Sequence, residues 1–178
     1  SSYTNPQILS NKNGPFSWNE SIKPEVNSVE NIKFDEKRSK ELRNIGFGAV
    51  LSHNMDGIMR GTGVIISLNS DAEQNIVIKD KASTHYSFSK GSTQQNYPNS
   101  LMGAVALLKQ SFLDADWYFQ NKGKINEVNL SLEAIHNNKS LPKIIEVRDK
   151  IRVLLAQKVG REMNYDFIIK GTGDEYQR

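Results

Sequence analysis

The 178-residue chain carries 23 Lys and Arg against 20 Asp and Glu, a formal charge of +3, and no cysteine. Disulfides, thiolate catalysis and Cys-ligated metal sites are therefore excluded, and charges spread along the sequence offer no basic patch for nucleic acid. The length fits one domain with a sizeable core but falls short of the roughly 250 residues of a closed eightfold barrel, so barrel-like units here are expected to belong to something larger.

No run approaches the ~18 apolar residues of a membrane span, so none is expected. The first residues lack the basic and apolar regions of a signal peptide; a removed signal would leave the same picture, and the compartment stays open.

Residues 1–32 read as an extended arm. Pro6, Gly14-Pro15 and Pro24 break any regular period in it, while Phe16 and Trp18 need a surface to lie on, either the body of the protein or, for Trp18, a ligand. Residues 33–178 read as an α/β segment of a larger domain. Its first helix is expected over about 35–44, with Gly46 as a left-handed residue past its end. Residues 47–52 read as a buried strand that runs into the Asp56-Gly57 turn.

Strands at 64–68 and 76–79, joined by the polar turn 69–75, form an antiparallel hairpin, because a parallel crossover needs a dozen residues or more. Residues 82–89 alternate in polarity and fit a strand or an ordered loop. After the polar loop 90–98, Asn99 or Ser100 caps a helix carrying Leu101, Val105, Leu108, Phe112, Ala115 and Phe119 at three- and four-residue spacing. A shorter helix at 130–137, with Asn129 as cap, leads to Pro142.

The last third is a βαβ unit. Strand 143–146 ends on Glu146; Asp149 caps a helix expected to turn Ile151, Leu154, Leu155, the Lys158 stem and Val159 to the sheet; strand 166–169 hands over to Lys170. Parallel β/α sheets keep their chemistry at the carboxyl ends of strands, which singles out Glu146 and Lys170. Such a pair could act as acid and base, bind a polar substrate, support a carbamylated lysine, or close the sheet mouth as a salt bridge.

Arg60-Gly61-Thr62-Gly63 and Lys170-Gly171-Thr172-Gly173 each set a cation before flexible amides, which suits an anion, although turn geometry explains both. His53, His85 and His136 show no spacing that brings two imidazoles to one metal. His85 is expected to face a pocket and His136 to face solvent. Asn19, Asn129 and Asn138 head glycosylation sequons of a kind common by chance in an Asn-rich chain.

Three segments carry a family likeness: residues 42–50 (Leu-Arg-Asn-Ile-Gly-Phe-Gly-Ala-Val), the Tyr97-Pro98-Asn99-Ser100-Leu101-Met102-Gly103 helix entry, and residues 141–176. Together they resemble the amidohydrolase superfamily, in its imidazolonepropionase-like and dipeptidase-like branch, and place this chain in the middle of a family member. The resemblance implies a distorted (β/α)8 barrel, a metal-dependent hydrolase and, in this branch, frequent export to the periplasm or beyond. It also marks departures. No His-x-His precedes residue 47, Glu146 stands where relatives carry histidine, Lys170-Gly171-Thr172-Gly173 replaces His-Gly-Thr-Glu, and the late-strand aspartate would lie past Arg178.

The combined expectation is an α/β fold, a partial (β/α) barrel-type segment with a β-hairpin elaboration and an extended N-terminal arm. Its function would be hydrolysis of amide or cyclic amide C–N bonds in small-molecule or peptide-like substrates by the complete protein, with the isolated chain inactive. The alternative is a non-catalytic binding or scaffold domain derived from a hydrolase barrel. Arg60, His85, Glu146 and Lys170 would line a polar pocket in either case. A divalent metal such as zinc belongs to the full-length family and is not expected in this chain alone. Exposed strand edges would favour self-association.

Overall fold

Four helices start on capping side chains, three of them (Ser100, Asn129 and Asp149) expected from the sequence and the fourth, Asp35, read there as the first residue of its helix. Asp35 accepts from the Arg38 amide at 3.1 Å to open α1 (Glu36–Asn44), and Ser100 accepts from Gly103 at 3.1 Å to open α2 (Leu101–Asn121). Asn129 does the same for α3 (Leu130–Asn137) at 3.0 Å, and Asp149 for α4 (Lys150–Met163) at 2.9 Å. Each cap satisfies one of the backbone donors that a first helical turn leaves orphaned. Gly46 follows α1 at φ +100°, the left-handed position that glycine occupies without strain. This computed structural model describes residues 14–33, 35–69 and 76–173. Pro6, residues 70–75 of the expected hairpin turn and residues 174–176 of the family likeness lie outside them.

Five strands join in sequence order: β1 (Ala49–Ser52), β2 (Met59–Ser67), β3 (Val77–Ser87), β4 (Lys143–Glu146) and β5 (Phe167–Lys170). The first three pair antiparallel; β3, β4 and β5 pair parallel, with α2 and α3 in one crossover and α4 in the next. The sheet curls into a half-barrel. The expected hairpin is present and longer than the sequence implied, since β3 joins 76–79 and the alternating 82–89 segment into one strand.

Side chains alternate across a sheet, so the register fixes two faces. Met59, Tyr86, Ile145, Phe167 and Ile169 belong to the face that packs on the helices, where Leu108, Phe112, Ala156 and Val159 complete the core. Tyr86 lies between the Phe112 and Phe167 rings, with centroids 5.7 and 5.6 Å away. The opposite, concave face carries Arg60, Gly63, Ser83, His85, Ser87, Glu146 and Lys170 at the alternate positions. One face of the sheet is thus an ordinary apolar core, while the other carries Ile144 and Ile168 together with this polar cluster, which gathers toward the carboxyl ends of β3, β4 and β5.

The arm wraps onto β2. Ile22 and Asn27 form bridges with Met59 and Thr62, and the Val26 carbonyl accepts from the Thr62 amide at 2.9 Å. Gly61 makes this approach possible: at φ +85°, a Cβ there would lie 2.0 Å from the Val26 oxygen. Asn19 is fully buried, donating to the Tyr97 carbonyl and accepting from Ser21, and Asn129 is a helix cap, so two of the three sequons serve the fold. Trp18 keeps 45% of its surface exposed and stacks on Tyr97.

Four expectations are corrected. β1 is an edge strand that is only partly covered: Ala49 and Leu51 are exposed and Val50 and Ser52 half-buried. Arg60-Gly61-Thr62-Gly63 forms no turn: it lies within β2, at a register shift where Gly61 supplies the bulge. On α4, Ile151, Leu154 and Lys158 point outward, while Val153, Leu155, Ala156, Val159 and Met163 face the core. His136 does not simply face solvent: its ring stacks on Phe119 at 3.3 Å, and its buried Nδ1 has no hydrogen-bond partner among the described residues.

Candidate functional site

β2 runs antiparallel to β3, so the start of β2 lies at the same end of the sheet as the ends of β3, β4 and β5. Glu146 and Lys170 close adjacent parallel strands in direct register, with Ser87 opposite Glu146 on the other side. Lys170 Nζ donates to Glu146 Oε2 at 3.1 Å, and Arg60 Nη1 donates to the same oxygen at 3.2 Å. The two cations therefore stand within about 6 Å of each other across one shared atom. Arg60 is 4% exposed, whereas the Lys170 side chain is 49% exposed.

The Arg60 guanidinium is held from behind. Its Nε donates to the Gly57 carbonyl at 3.1 Å. The Asp56-Gly57 turn is fixed in its place, because Asp56 accepts from the Ser92 amide at 2.7 Å and the Ser92 hydroxyl at 3.0 Å and forms an ion pair with Lys23. Those donors leave the Asp56 carboxyl below its usual range, although partial burial pushes the other way.

Beside this triad lie two imidazoles. His53 and His85 stack with centroids 3.7 Å apart and planes 8° from parallel. Ser83 Oγ lies 2.9 Å from His85 Nε2, and His53 Nδ1 donates to the Asn54 carbonyl at 2.7 Å. Gly63 leaves the space: a Cβ there would lie 2.4 Å from His85 Nε2. Burial, then the neighbouring His53, Lys170 and Arg60, bring the His85 pKa down to about 3. His53 is lowered too, first by burial, with Lys170 and Arg60 contributing. Both rings are neutral at neutral pH. Glu146 is pushed up by partial burial, but the hydrogen bonds from Lys170 and Arg60 outweigh that and hold it below its ordinary value.

The cluster therefore has two cations, one carboxylate and two neutral imidazoles. Buried charges need such pairing, because desolvation of an isolated ion costs several kcal/mol. These groups can hold a polar substrate through charged donors and imidazole edges.

They do not fit the divalent metal that the resemblance implies. A metal at Glu146 would have to compete with two cations already on its Oε2. Parallel stacked rings direct their in-plane lone pairs side by side instead of toward one point, as shared ligation requires. Among the described residues, no group of three or more His, Asp or Glu side chains could hold a metal ion.

The structure thus brings together all four residues singled out from sequence, Arg60, His85, Glu146 and Lys170. His53, Ser83, Gly63 and Asp56 were missed as parts of the same cluster. His136 lies elsewhere, on α3. In the Lys170-Gly-Thr-Gly stretch, Thr172 Oγ1 donates to the Arg148 carbonyl at 3.2 Å, which ties the end of β5 to the end of β4. No helix among the described residues is long and apolar enough to cross a membrane.

No protein-family profile matches the chain, and no curated protein matches it in sequence. Among solved structures, the chain is similar to the crystal structure of an amidohydrolase from Thermotoga maritima MSB8, with a TM-score of 0.68 at 18% sequence identity. The match covers 85% of this chain and 44% of that one, so the chain spans less than half the length of the protein that it resembles. What the likeness establishes is the fold alone, an α/β half-barrel.

Proposed function

We propose that this chain is a segment of an amidohydrolase-like protein that hydrolyses amide or cyclic amide C–N bonds. In this reading Arg60, His85, Glu146 and Lys170 bind the polar part of a small-molecule amide or peptide-like substrate. The observation that carries the proposal is their convergence at the strand mouth of a half-barrel, the end at which β/α barrels keep their active sites. The amidohydrolase name of the similar Thermotoga protein supports it.

A divalent metal of the zinc class, if the complete protein uses one, takes its ligands from outside this segment. The isolated chain does not hydrolyse amides by itself. The test is release of amine from a panel of N-acyl amino acids and cyclic amides, measured for the complete reading frame and for the 178-residue chain. Turnover by the complete protein alone is expected. Turnover by the isolated chain overturns its proposed dependence on the rest of the protein. Ligand binding without turnover by the complete protein favours a non-catalytic binding domain on the same scaffold.

A further inference from the structure

The strand mouth holds more positive charge than its internal pairing uses. Arg60 and Lys170 share one carboxylate oxygen, and His53 and His85 are neutral, so a surplus of one positive charge remains. Arg60 has five N–H donors and spends two, on Gly57 and Glu146; among the described residues the others have no partner. It is nevertheless 4% exposed, and the Asp56-Gly57 turn fixes it in position. A preorganised, almost buried guanidinium with spare donors, next to an ammonium that is half open to solvent, is a receptor for an oxyanion.

We infer that the Arg60–Glu146–Lys170 cluster, in which Glu146 and Lys170 stand where the resemblance leads one to look for metal ligands, is a metal-independent site for a single carboxylate group of the ligand. The anion meets Lys170 Nζ and the unused edge of Arg60, while Glu146 sets the net charge. That count selects the class. A monoanion neutralises the surplus, whereas a phosphate dianion would leave an excess negative charge beside Glu146 in a poorly hydrated place. The neutral imidazoles add hydrogen-bonding edges without changing the balance.

This inference takes the strand mouth as the ligand-facing site, as the proposed function does, and its test separates the two. Calorimetric titration of the intact 178-residue protein uses N-acetylglycine, its neutral amide N-acetylglycinamide, inorganic phosphate and zinc chloride. N-acetylglycine is expected to bind at least about tenfold more tightly than its amide, the worth of a charge-assisted hydrogen bond. Lys170→Gln, at a half-exposed position that leaves the core intact, should weaken the carboxylate about tenfold. Glu146→Gln should tighten it about threefold or more, because the surplus rises.

Equal binding of the acid and its amide overturns the inference, as does the absence of binding by either. Tighter binding of phosphate than of N-acetylglycine reassigns the site to phosphoryl groups. Stoichiometric zinc binding that Glu146→Gln abolishes returns it to metal. Loss of the carboxylate preference while the complete protein still hydrolyses amides removes this inference alone; carboxylate binding without hydrolysis removes the hydrolase reading alone.

Discussion

The imidazole of His85 lies flat against that of His53, with centroids 3.7 Å apart, and a Cβ on Gly63 would come 2.4 Å from His85 Nε2. The stack is therefore possible only because β2 carries glycine at that point. Its two rings come from a loop and a strand brought together by the curl of the sheet, next to the Arg60–Glu146–Lys170 triad.

Gly63→Ala should push the His85 ring off His53 and away from Ser83. The expected cost is about 1–3 kcal/mol, as for overpacking in a filled interior. Chemical denaturation measures it, and the ring resonances of both histidines should shift in NMR spectra. A wild-type midpoint with unshifted histidines would show that the ring has free space to move into.

Acid should destabilise the fold through these same groups. His85 has an ordinary pKa of 6.5 and a folded value of about 3, so between these limits the unfolded chain takes up the proton more readily. Stability then falls as pH drops below 6.5, on the order of 2–3 kcal/mol lost by pH 4. Glu146 works in the same direction at lower pH: its contribution is present above its ordinary value of 4.5 and is lost as pH falls through its lower folded value. In His85→Gln, thermal melts from pH 7 to pH 4 should show a visibly shallower decline. An unchanged slope would mean that other groups set the acid limit.

Gly61→Ala addresses the arm. The left-handed backbone and the 2.0 Å approach to Val26 oxygen both penalise a side chain. A loss of about 2–3 kcal/mol is expected, together with faster proteolysis within residues 14–33. Wild-type protease resistance would show that the Ile22 and Asn27 bridges hold without the Thr62–Val26 contact.

Both sheet edges remain open among the described residues. β1 exposes Leu51, and β5 exposes Ile168, which is 54% accessible, so backbone and apolar groups are available together. The isolated chain should self-associate with concentration. Light scattering is the check, and a monodisperse monomer across a hundredfold dilution series would contradict it.

The parts of this molecule that were legible in its sequence are the local ones. Ser100, Asn129 and Asp149 announce their helices because capping depends on a few neighbouring atoms. Glu146 and Lys170 were placed at strand ends because apolar runs stop at them, and the parallel register then makes them neighbours. Long-range pairing hid the rest. Nothing near His53 in sequence points to His85; their contact depends on the curl of a sheet joined through β2. Strand periodicity could not reveal the Gly61 bulge, which answers to the arm. On α4, apolar residues at 151, 153, 154, 155 and 159 cover so much of the circumference that spacing alone could not choose the buried face. β1 looked buried because its composition is apolar, yet burial depends on what lies alongside.

The most direct test of the strand mouth as a functional site is kcat/KM of the complete protein for a small amide substrate, compared between wild type and Lys170→Gln at matched folded fraction. Loss of a charge-assisted contact to the substrate predicts a fall of about tenfold or more. A value within twofold of wild type would place substrate binding elsewhere and contradict the account.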